Sequence, residues 1–566
     1  MILLGALLSG ITLGFLLWPA KTITSPRVLP ISIASNTPTT ITVSARVSPN
    51  LKLIGNSITV VRLNQEGAPI VTMGILKDDG MGTHTYTGQF QITESGPSNV
   101  YFMVTSVSKN SLLLAKSPIF ALMVKSAPIF PLKKSSNNRF FVDQTNMPLL
   151  VIGDAPMSIV SMLRPTQQDF YFADRQAMGF NALWINMLCT SYTGCPADGR
   201  TAGGIAPFTS GNSPANYDLS MPNDTYFALY DAAIASAAKF GHVVFLNPIE
   251  TGGWLSSLKN NGAMKAFNYG VYVGNRYKNF PNIVWLHGND YGCGTSTIND
   301  TLVAQVMAGI ASVDSNHLQT VEAGSATFAP GMDAYAWSNM CMGFTQHIGA
   351  DLAYSWAPTY DVALRAYNSS PTLPCFLGEG NYEFENIQSV LAQPTGAYLL
   401  RETVWWTLLS GCMGYIYGSR FTWTSTWPSN VLDSPGATQI TNINAMMNGL
   451  EWWKLVPDEN HVVTTAGYGT YTMGNSDPTA NTYCSTGSAS DGSFALTYCP
   501  KSTTLTVALD RLKSPVTARW FDPAAGTFSV ISGSPFANNK IHNFSTPRNN
   551  SSGDPDWILV LTAAKR

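Results

Sequence analysis

Short runs of alternating apolar and polar residues fill residues 28–128. Turn-forming residues separate four of these runs, TITVSARV, SITVVRL, YTGQFQI and NVYFMVTSV. A period of two sends one row of side chains into a core and the other row toward water. The pattern therefore predicts an antiparallel β-sandwich over these residues.

The pattern of apolar and polar residues changes over residues 136–456, where continuous apolar runs alternate with longer amphipathic runs. The strand candidates are PLLVIGD, NALWINML, HVVFLNPIE, NIVWLHGND, LQTVEAG, PCFLGEG and CMGYIYG, and helix candidates include QQDFYFADRQAMGF, DTYFALYDAAIASAAKFG, DTLVAQVMAGIASV and GAYLLRETVWWTLLSG. Apolar strands that alternate with helices favour a parallel sheet covered by those helices. About seven or eight such units predict a (β/α)8 TIM barrel. DAYAWSNMCMGFTQ and DLAYSWAP compete for its sixth strand.

Residues 457–566 return to short strands. The candidates are TLTVALD, VTARWFDP, TFSVISG and DWILVLT, which predict a second β-sandwich. The expected fold class is therefore multidomain, α/β plus all-β, with a central barrel flanked by an N-terminal and a C-terminal β-sandwich.

Residues 1–27 are expected to form a leader with a short linker. Residues 2–20 carry no charge, so this run is long enough to span a bilayer or to serve as an export signal. It lacks a basic start and a clear A-x-A cleavage site. We favour an export signal over a retained membrane anchor, and therefore expect a secreted or cell-surface protein.

The composition of the chain excludes one class of function, nucleic-acid binding. Charged residues make up 12% of the chain and the formal net charge is -2, whereas about a quarter of the residues are charged in typical soluble domains. Without a basic run, the chain has no electrostatic footprint for nucleic acid.

The eight cysteines suggest disulfides rather than a metal site. An exported protein can bridge cysteines that lie close in sequence, as Cys189 and Cys195 do, and as Cys484 and Cys499 do around a Gly/Ser-rich turn. No CxxC pair is present, so no zinc site is predicted. Burial as free thiols is at least as good an interpretation for the dispersed cysteines, Cys293, Cys341, Cys375 and Cys412.

The candidate chemistry lies where the predicted barrel strands end, because a barrel places its working residues at the carboxyl ends of its strands. Carboxylates and amides bind sugar hydroxyls, and aromatic faces stack on sugar C–H surfaces, so the selected set suits a carbohydrate pocket. The set comprises Asp154, Asn186, Asn247, Glu250, His287, Asn289, Asp290, Tyr291, Glu379, Tyr382, Tyr417, Arg420 and Trp423.

Two of these carboxyl groups are candidates for glycosidic cleavage, which needs one protonated and one ionised carboxyl and no metal or other cofactor. Asp290 follows the apolar run IVWL, where partial desolvation is expected to favour the neutral form of a general acid. Glu379 lies between two glycines, which would let a substrate approach closely. Opposite walls of one barrel mouth can give two carboxyls different environments.

Several supporting residues have two interpretations. Asp154 either binds a sugar hydroxyl or stabilises a turn, and His287 either tunes Asp290 or is a hydrogen-bonded core histidine. Asn289 is a candidate for binding the hydroxyl beside the anomeric carbon. Tyr382 either orients Glu379 or packs.

The remaining candidates lie further from the strand ends. Trp423 is a candidate stacking platform, and Glu250 with Trp254 is a candidate outer subsite. Glu383 and Glu385 are rival nucleophiles that rank second because they lie further into the loop.

These residues resemble known glycosidase motifs. Clan A glycosidases place Asn-Glu after strand four and a nucleophilic Glu after strand seven, positions held here by Asn289-Asp290 and Glu379. The middle segment is more closely similar to the apiosidase-like glycoside hydrolase family in FFVDQTNMPLLVIGDAP, YFADRQAMGFNALWINML, WLHGNDY, FLGEGNYE and GYIYGSRFTW. That resemblance implies that Asp290 is the acid/base and Glu379 the nucleophile of a retaining enzyme. Met157 and the insert CTSYTGC depart from the family pattern.

The flanking segments carry resemblances of their own. YCP, TARWFDPAAGTF, ISGSPF and GDPDWILVL are similar to a domain named for collagen binding in a collagenase, although no collagen-specific chemistry is evident in them. The DDG…YTG turn resembles that of bacterial immunoglobulin-like modules, which implies an immunoglobulin-like N-terminal sandwich.

We therefore expect a secreted, monomeric glycoside hydrolase that acts on an oligosaccharide or polysaccharide of plant or microbial origin. One alternative is a non-catalytic carbohydrate-binding or adhesive surface protein on a degenerate barrel. A protease, suggested only by the collagen-binding resemblance, is disfavoured because the chain has neither HExxH nor G-x-S-x-G.

Overall fold

A computed structural model describes most of the chain. The described residues are 23–29, 32–34, 39–47, 57–63, 69–78, 85–93, 98–107, 113–117, 119–125, 128–292, 296–323, 347–352, 359–368, 370, 372–385, 394–426, 431–447, 449–472 and 480–563. The leader run, residues 2–20, lies outside these ranges. Within them, no helix is long and apolar enough to cross a membrane.

The N-terminal strands lie in two sheets. Their bounds are β1 Ile23–Leu29, β2 Ser32–Ala34, β3 Thr39–Val47, β4 Ser57–Leu63, β5 Pro69–Ile75, β6 Lys77–Asp78, β7 Thr85–Ile92, β8 Ser98–Val107, β9 Leu113–Lys116 and β10 Ile119–Lys125. The four alternating runs of the sequence are β3, β4, β7 and β8. Ile41 and Val43 on one sheet share an apolar cluster with Val60 and Val104 on the other, so the alternation does mark the face that packs inward.

A parallel sheet occupies the centre of the chain. Three short strands precede it, β11 Lys133–Lys134, β12 Phe141–Val142 and β13 Pro148–Leu149, and the sheet itself comprises β14 Val151–Asp154, β15 Ala182–Asn186, β16 Val243–Asn247, β17 Ile283–Tyr291, β18 Gln319–Ala323, β19 His347–Leu352 and β20 Gly414–Tyr417. Its spatial order is β19-β18-β17-β16-β15-β14-β20. The predicted seventh strand, residues 374–380, contacts β20 through a parallel bridge between Leu377 and Tyr415. This order fits the predicted (β/α)8 fold.

The sheet curves back on itself around a packed interior. Phe245 on β16 contacts Phe376 of the seventh segment, with ring centroids 5.0 Å apart, although these segments are far apart in the strand order. Alternate residues of the strands, such as Trp184 and Leu286, join this interior cluster. Their neighbours in sequence pack outward against the helices, which is the two-sided burial that continuous apolar strands predict.

Helices follow most of the barrel strands. They are α1 Ile159–Met162, α2 Pro165–Met178, α3 Asp224–Lys239, α4 Thr251–Tyr277, α5 Thr297–Ala311, α6 Thr359–Tyr367, α7 Ala397–Leu409, α8 Arg420–Trp423 and α9 Pro435–Met447. None of the helix candidates named from the sequence corresponds to α4. Its pattern is interrupted at Gly262, which has φ 75° and divides the helix by a kink.

The sixth strand falls between the two segments that competed for it. β19 includes only the first two residues of DLAYSWAP, and the remainder of both candidates lies outside the described residues. The choice between the two candidates therefore falls on residues outside the described ranges.

Six of the nine described C-terminal strands continue the N-terminal sheet, and the other three form a sheet of their own. Their bounds are β21 Leu455–Pro457, β22 Thr464–Ala466, β23 Ser485–Ala489, β24 Phe494–Cys499, β25 Thr504–Ala508, β26 Val516–Asp522, β27 Thr527–Val530, β28 Ile541–Ser545 and β29 Trp557–Ala563. β27 pairs with β10, so strands from both ends of the chain share one twelve-stranded sheet. The sequence predicted two separate flanking units and did not reveal this pairing.

The cysteines follow the predictions in part. Cys189 and Cys195 form a disulfide. Cys484 and Cys499 do not; both are buried free thiols, and burial together with the neighbouring Cys484 thiol raises the pKa of Cys499. Two of the dispersed cysteines, Cys375 and Cys412, are buried free thiols, while Cys293 and Cys341 lie outside the described residues.

A buried ion pair joins the barrel to the C-terminal β-sheet region. Arg401 on α7 donates from Nη2 to Asp556 Oδ1 at 2.7 Å and from Nε to Asp556 Oδ2 at 2.9 Å. Both side chains are almost fully buried. The bidentate geometry compensates two desolvated charges, so removal of one partner is costly.

We expect Arg401→Met to lower the free energy of unfolding by about 3–5 kcal/mol, because Asp556 would remain buried without its partner. Urea titration monitored by tryptophan fluorescence measures this loss. Lys265→Met, which breaks the half-exposed pair with Asp218, is the matched control and should cost no more than about 1 kcal/mol. Equal losses in the two variants would contradict this interpretation.

Candidate active site

The carboxyl end of β17 has an unusual backbone. Gly288, Asn289 and Asp290 are consecutive left-handed residues with φ 99°, 90° and 54°. A Cβ on Gly288 would lie 2.0 Å from the carbonyl oxygen of Glu322, so only glycine fits there. Left-handed backbone is uncommon for residues other than glycine, and Asn and Asp are among the side chains that tolerate it best. The turn shifts the register against β18 and leaves Asn289 buried while Asp290 is exposed.

Three carboxylates meet at this end of the barrel. One oxygen of each of Asp290, Glu322 and Glu379 lies within 4.8 Å of the other two. Asp290 is exposed, Glu379 is half-buried and Glu322 is fully buried. Carboxylates this close repel one another when all are ionised, so the arrangement favours retention of a proton within the group. The two acids that the sequence paired across the barrel are therefore neighbours in space.

The partial burial that the sequence predicted for Asp290 is not observed, because its side chain is exposed. Two neighbouring residues form hydrogen bonds with it instead. The Tyr192 hydroxyl donates a 2.6 Å hydrogen bond to Asp290 Oδ2. The Glu322 carboxylate accepts the backbone N–H of Asp290.

Sequence reasoning missed both of these neighbours. Glu322 lies on the predicted strand LQTVEAG, and the strand-end rule applied to the other strands would have selected it. Tyr192 lies in the insert CTSYTGC, where no spacing or periodicity points toward the barrel mouth.

Asn186 and Asn289 form a buried amide pair below the carboxylates. Asn186 Nδ2 donates to Asn289 Oδ1 at 2.8 Å, and Trp184 Nε1 donates to Asn186 Oδ1 at 2.8 Å. The Thr251 hydroxyl donates to the Asn289 backbone oxygen at 3.0 Å. These contacts set which way the Asn289 amide faces.

Glu250 supports the same network and does not form the outer subsite that was predicted. It is fully buried and accepts the backbone N–H of Thr190 at 2.7 Å and the Thr190 hydroxyl at 2.9 Å. Asn186 and the Thr193 hydroxyl donate to its other oxygen. Burial raises the pKa of Glu250 to about 7, and these hydrogen bonds act in the opposite direction. Trp254 is also buried, so it cannot line a subsite.

Asp154 is a structural residue and not the sugar-binding residue that was one of its two interpretations. It is fully buried, lies 3.2 Å from Arg175 Nε and accepts a 2.5 Å hydrogen bond from the Tyr171 hydroxyl. It also accepts the backbone N–H of Ala155 at 2.7 Å. Burial raises the pKa of Asp154, against the opposing charge of Arg175.

Two other predicted binding residues are held away from the mouth. Asn247 donates to the Gly288 backbone oxygen at 3.2 Å and accepts from the Ile249 N–H at 3.0 Å, so it braces the turn at the end of β17. Tyr291 is buried and donates to Asp300 on α5. Strand-end position alone did not reveal that these side chains serve the fold.

Glu383 and Tyr417 also have structural roles. Glu383 is buried and accepts the Tyr417 hydroxyl and the Ser434 hydroxyl, each at 2.5 Å. It further accepts the Gly436 N–H in the first turn of α9 at 2.8 Å, where a negative charge is favourable. This use of both oxygens removes Glu383 as a rival nucleophile and Tyr417 as a sugar contact.

His287 is the hydrogen-bonded core histidine of its two interpretations. It is buried, and its Nε2 lies 2.9 Å from Gln319 Oε1. This contact ties β17 to β18 just below the carboxylates.

Two aromatic side chains, Trp423 and Tyr382, lie beside acidic residues of this region. Trp423 is half-buried, and its Nε1 donates to Glu385 Oε1 at 2.7 Å. Burial raises the pKa of Glu385, while the Trp423 hydrogen bond and the charge of the exposed Arg420 oppose that shift. Tyr382 is buried, and burial followed by the charges of Glu379 and Glu385 raises its pKa. Its phenol therefore stays protonated beside the carboxylates.

The three carboxylates also have the spacing of a metal site among the described residues. Oxygen ligands of this kind suit Mg²⁺ or Ca²⁺. Two carboxyls at this distance across a barrel mouth also suit glycosidic cleavage, which proceeds without a metal. The aromatic and amide neighbours described above are those of a sugar site.

Comparisons with solved structures agree with the barrel fold. One structure described as a glycoside hydrolase matches with a TM-score of 0.64 and 17% identity, over 77% of this chain and 97% of the other. A glycoside hydrolase family 5 structure from Bacteroides vulgatus matches with a TM-score of 0.63 and 17% identity, over 76% and 93% of the two chains. No curated relative matches. At these identities the structural likeness establishes the fold.

Two family profiles match the chain and identify the family of its central segment. The profile described as the apiosidase-like catalytic domain matches residues 135–454, and a profile named for the collagen-binding domain of a collagenase matches residues 472–562. The barrel and its profile together define a glycoside hydrolase. The chain belongs to the apiosidase-like family.

The raised pKa of Glu250 predicts a pH dependence of stability. Between about pH 4.5 and 7 the native protein holds a proton that the unfolded chain releases, so this stability is present at low pH and is lost as pH rises through about 7. The whole effect should be on the order of 3 kcal/mol. Urea unfolding of wild type and Glu250→Gln at several pH values between 4.5 and 8 measures it.

The substitution should flatten the pH dependence, because an amide does not titrate in this range. Glu451→Gln, which removes a half-exposed surface carboxyl paired with Lys454, should keep the wild-type dependence. An unchanged slope in Glu250→Gln would show that Glu250 is ionised throughout.

Proposed function

We propose that the protein is an exported enzyme that removes a terminal or side-chain sugar from a plant or microbial polysaccharide with retention of configuration. In this proposal Asp290 is the acid/base and Glu379 the nucleophile. One observation carries it: their carboxyl oxygens approach within 4.8 Å at the carboxyl end of the barrel. Retaining glycosidases separate their carboxyls by about 5–5.5 Å, whereas inverting enzymes leave about 6.5–9.5 Å for a water molecule.

In the first step Glu379 attacks the anomeric carbon as the glycosidic C–O bond breaks. Asp290 donates its proton to the departing oxygen, so the leaving group departs neutral and a glycosyl ester forms on Glu379. The exposure of Asp290 suits contact with that oxygen. The neighbouring carboxylates favour a proton within the group before the reaction begins.

In the second step the roles reverse. Asp290, now ionised, accepts a proton from water, whose oxygen attacks the anomeric carbon and releases Glu379. The Tyr382 phenol, buried within the field of Glu379, is placed to stabilise the carboxylate that is released.

The neighbouring residues suit a bound sugar. The Asn186 contact orients the Asn289 amide, and in this proposal Asn289 binds the hydroxyl beside the anomeric carbon, a contact that strengthens in the transition state. The half-buried Trp423, fixed by Glu385, offers a flat apolar face for stacking. Export is inferred from the uncharged run at residues 2–20.

Asp290→Asn and Glu379→Gln should each lower kcat by about 10²- to 10⁴-fold. The first variant loses the acid/base, and the second loses the nucleophile. Both variants should keep the wild-type fold, with an unchanged far-UV circular dichroism spectrum. The measurement is monosaccharide release from pectin and other wall polymers. Glu451→Gln, remote from the mouth, should retain full activity, and wild-type turnover in either site variant would remove it from the mechanism.

The first product should keep the anomeric configuration of the bond that is cleaved, because the carboxyl spacing leaves little room for an attacking water. Proton NMR during the first turnovers reads the configuration directly. In Glu379→Ala, added azide should yield a glycosyl azide of inverted configuration. A hydrolysis product of inverted configuration from the wild type would instead make Glu379 a general base.

A further inference from the structure

The insert CTSYTGC folds into a closed loop beside the proposed acid. Its ends, Cys189 and Cys195, are buried and joined by a disulfide. Between them a short 3-10 turn, Ser191–Thr193, carries Tyr192 toward the mouth. The loop therefore presents one aromatic side chain from a cross-linked base.

Buried contacts anchor this loop to the barrel. Thr190 and Thr193 donate to Glu250 from opposite ends of the turn. A Cβ on Gly253 would lie 2.1 Å from the Thr190 hydroxyl, and one on Gly194 would lie 2.7 Å from Cα of Thr424. The loop is thus packed between the start of α4 and the segment that follows Trp423.

Tyr192 reaches from the loop to Asp290. Its hydroxyl lies 2.6 Å from Asp290 Oδ2, while 41% of the residue is exposed at the mouth. Gly252 permits this position, because a Cβ there would lie 2.2 Å from the Tyr192 ring. Burial, and then the charge of Asp290, raises the pKa of Tyr192, so the phenol keeps its proton and acts as a donor.

We propose that the disulfide loop is a positioning device, in which Cys189–Cys195 and the Glu250 contacts hold Tyr192 so that its phenol orients Asp290 and stabilises its ionised form. The inference rests on the proposed function, since it assigns a role toward the acid/base. Asp290 is also faced by Glu322, Glu379 and Tyr382. A neutral donor among these acids favours the charge that Asp290 develops as it gives up its proton.

Tyr192→Phe is the direct test, because it removes the hydroxyl and keeps the ring. We expect kcat to fall roughly 10- to 100-fold with little change in KM, as a hydrogen bond to a charged group is lost. The basic limb of the pH–rate profile should move to higher pH, since the ionised carboxylate loses a donor.

Tyr272→Phe is the matched control. Tyr272 donates to Asp224 at 2.7 Å on the outer helices, so this variant loses the same kind of bond away from the mouth and should keep the wild-type rate and profile. A wild-type rate and profile in Tyr192→Phe would overturn the proposal.

The role of the disulfide is tested by Cys189→Ser/Cys195→Ser in two backgrounds. In the wild type it should lower kcat to about the level of Tyr192→Phe, whereas in Tyr192→Phe it should add little, because both changes remove one interaction. Independent, multiplicative losses would show that the loop does not act through Tyr192.

A stability cycle separates this inference from the proposed function. Tyr192→Phe, Asp290→Asn and their combination should show non-additive melting temperatures, whether or not the protein cleaves a glycan. Additive shifts would show that Tyr192 and Asp290 do not interact and would overturn the proposal. A wild type that cleaves no polysaccharide but shows this coupling would refute the proposed function and leave the loop contact intact.

Discussion

The left-handed turn at the end of β17 is the constraint on which the candidate site depends. Gly288 fits against the Glu322 carbonyl only because it has no side chain. The two residues after it adopt left-handed backbone, which is uncommon outside glycine but which Asn and Asp tolerate better than most side chains. Asn247 and Glu322 hold this turn through backbone groups. The strain is thereby offset by neighbouring strands, and the carboxyl of Asp290 is delivered to the mouth.

A layer of buried polar groups supports that turn. Asn186, Asn289 and Glu250 hydrogen-bond one another or share donors inside the barrel, where unpaired polar atoms would be costly. Because each group fixes the next, the layer transmits the position of the loop after β15 to the end of β17. This explains why so many polar residues at the strand ends are buried and serve the fold.

The apolar pattern predicted most of the fold. Buried strands such as ALWIN and VVFLN are continuously apolar, and amphipathic helices such as α2 and α3 repeat apolar residues with a helical period. Both patterns can be recognised within a short stretch of sequence. The pattern was less informative for α4, which a kink at Gly262 divides. Pairing of β10 with β27 was not predictable, because strand pairing over some hundreds of residues leaves no local period.

The sequence by itself determined the class of fold and most of its strands, and it led to Asp290 and Glu379 as the proposed pair, because strand ends and their motifs are local features. Only the tertiary structure decided which polar residues line the mouth. It buried Asp154, Asn247 and Tyr417, placed the buried Glu322 beside Asp290 and brought the exposed Tyr192 to the mouth. The physical reason is that a polar side chain at a strand end satisfies whichever partner lies nearest in space, and that partner comes from another part of the chain.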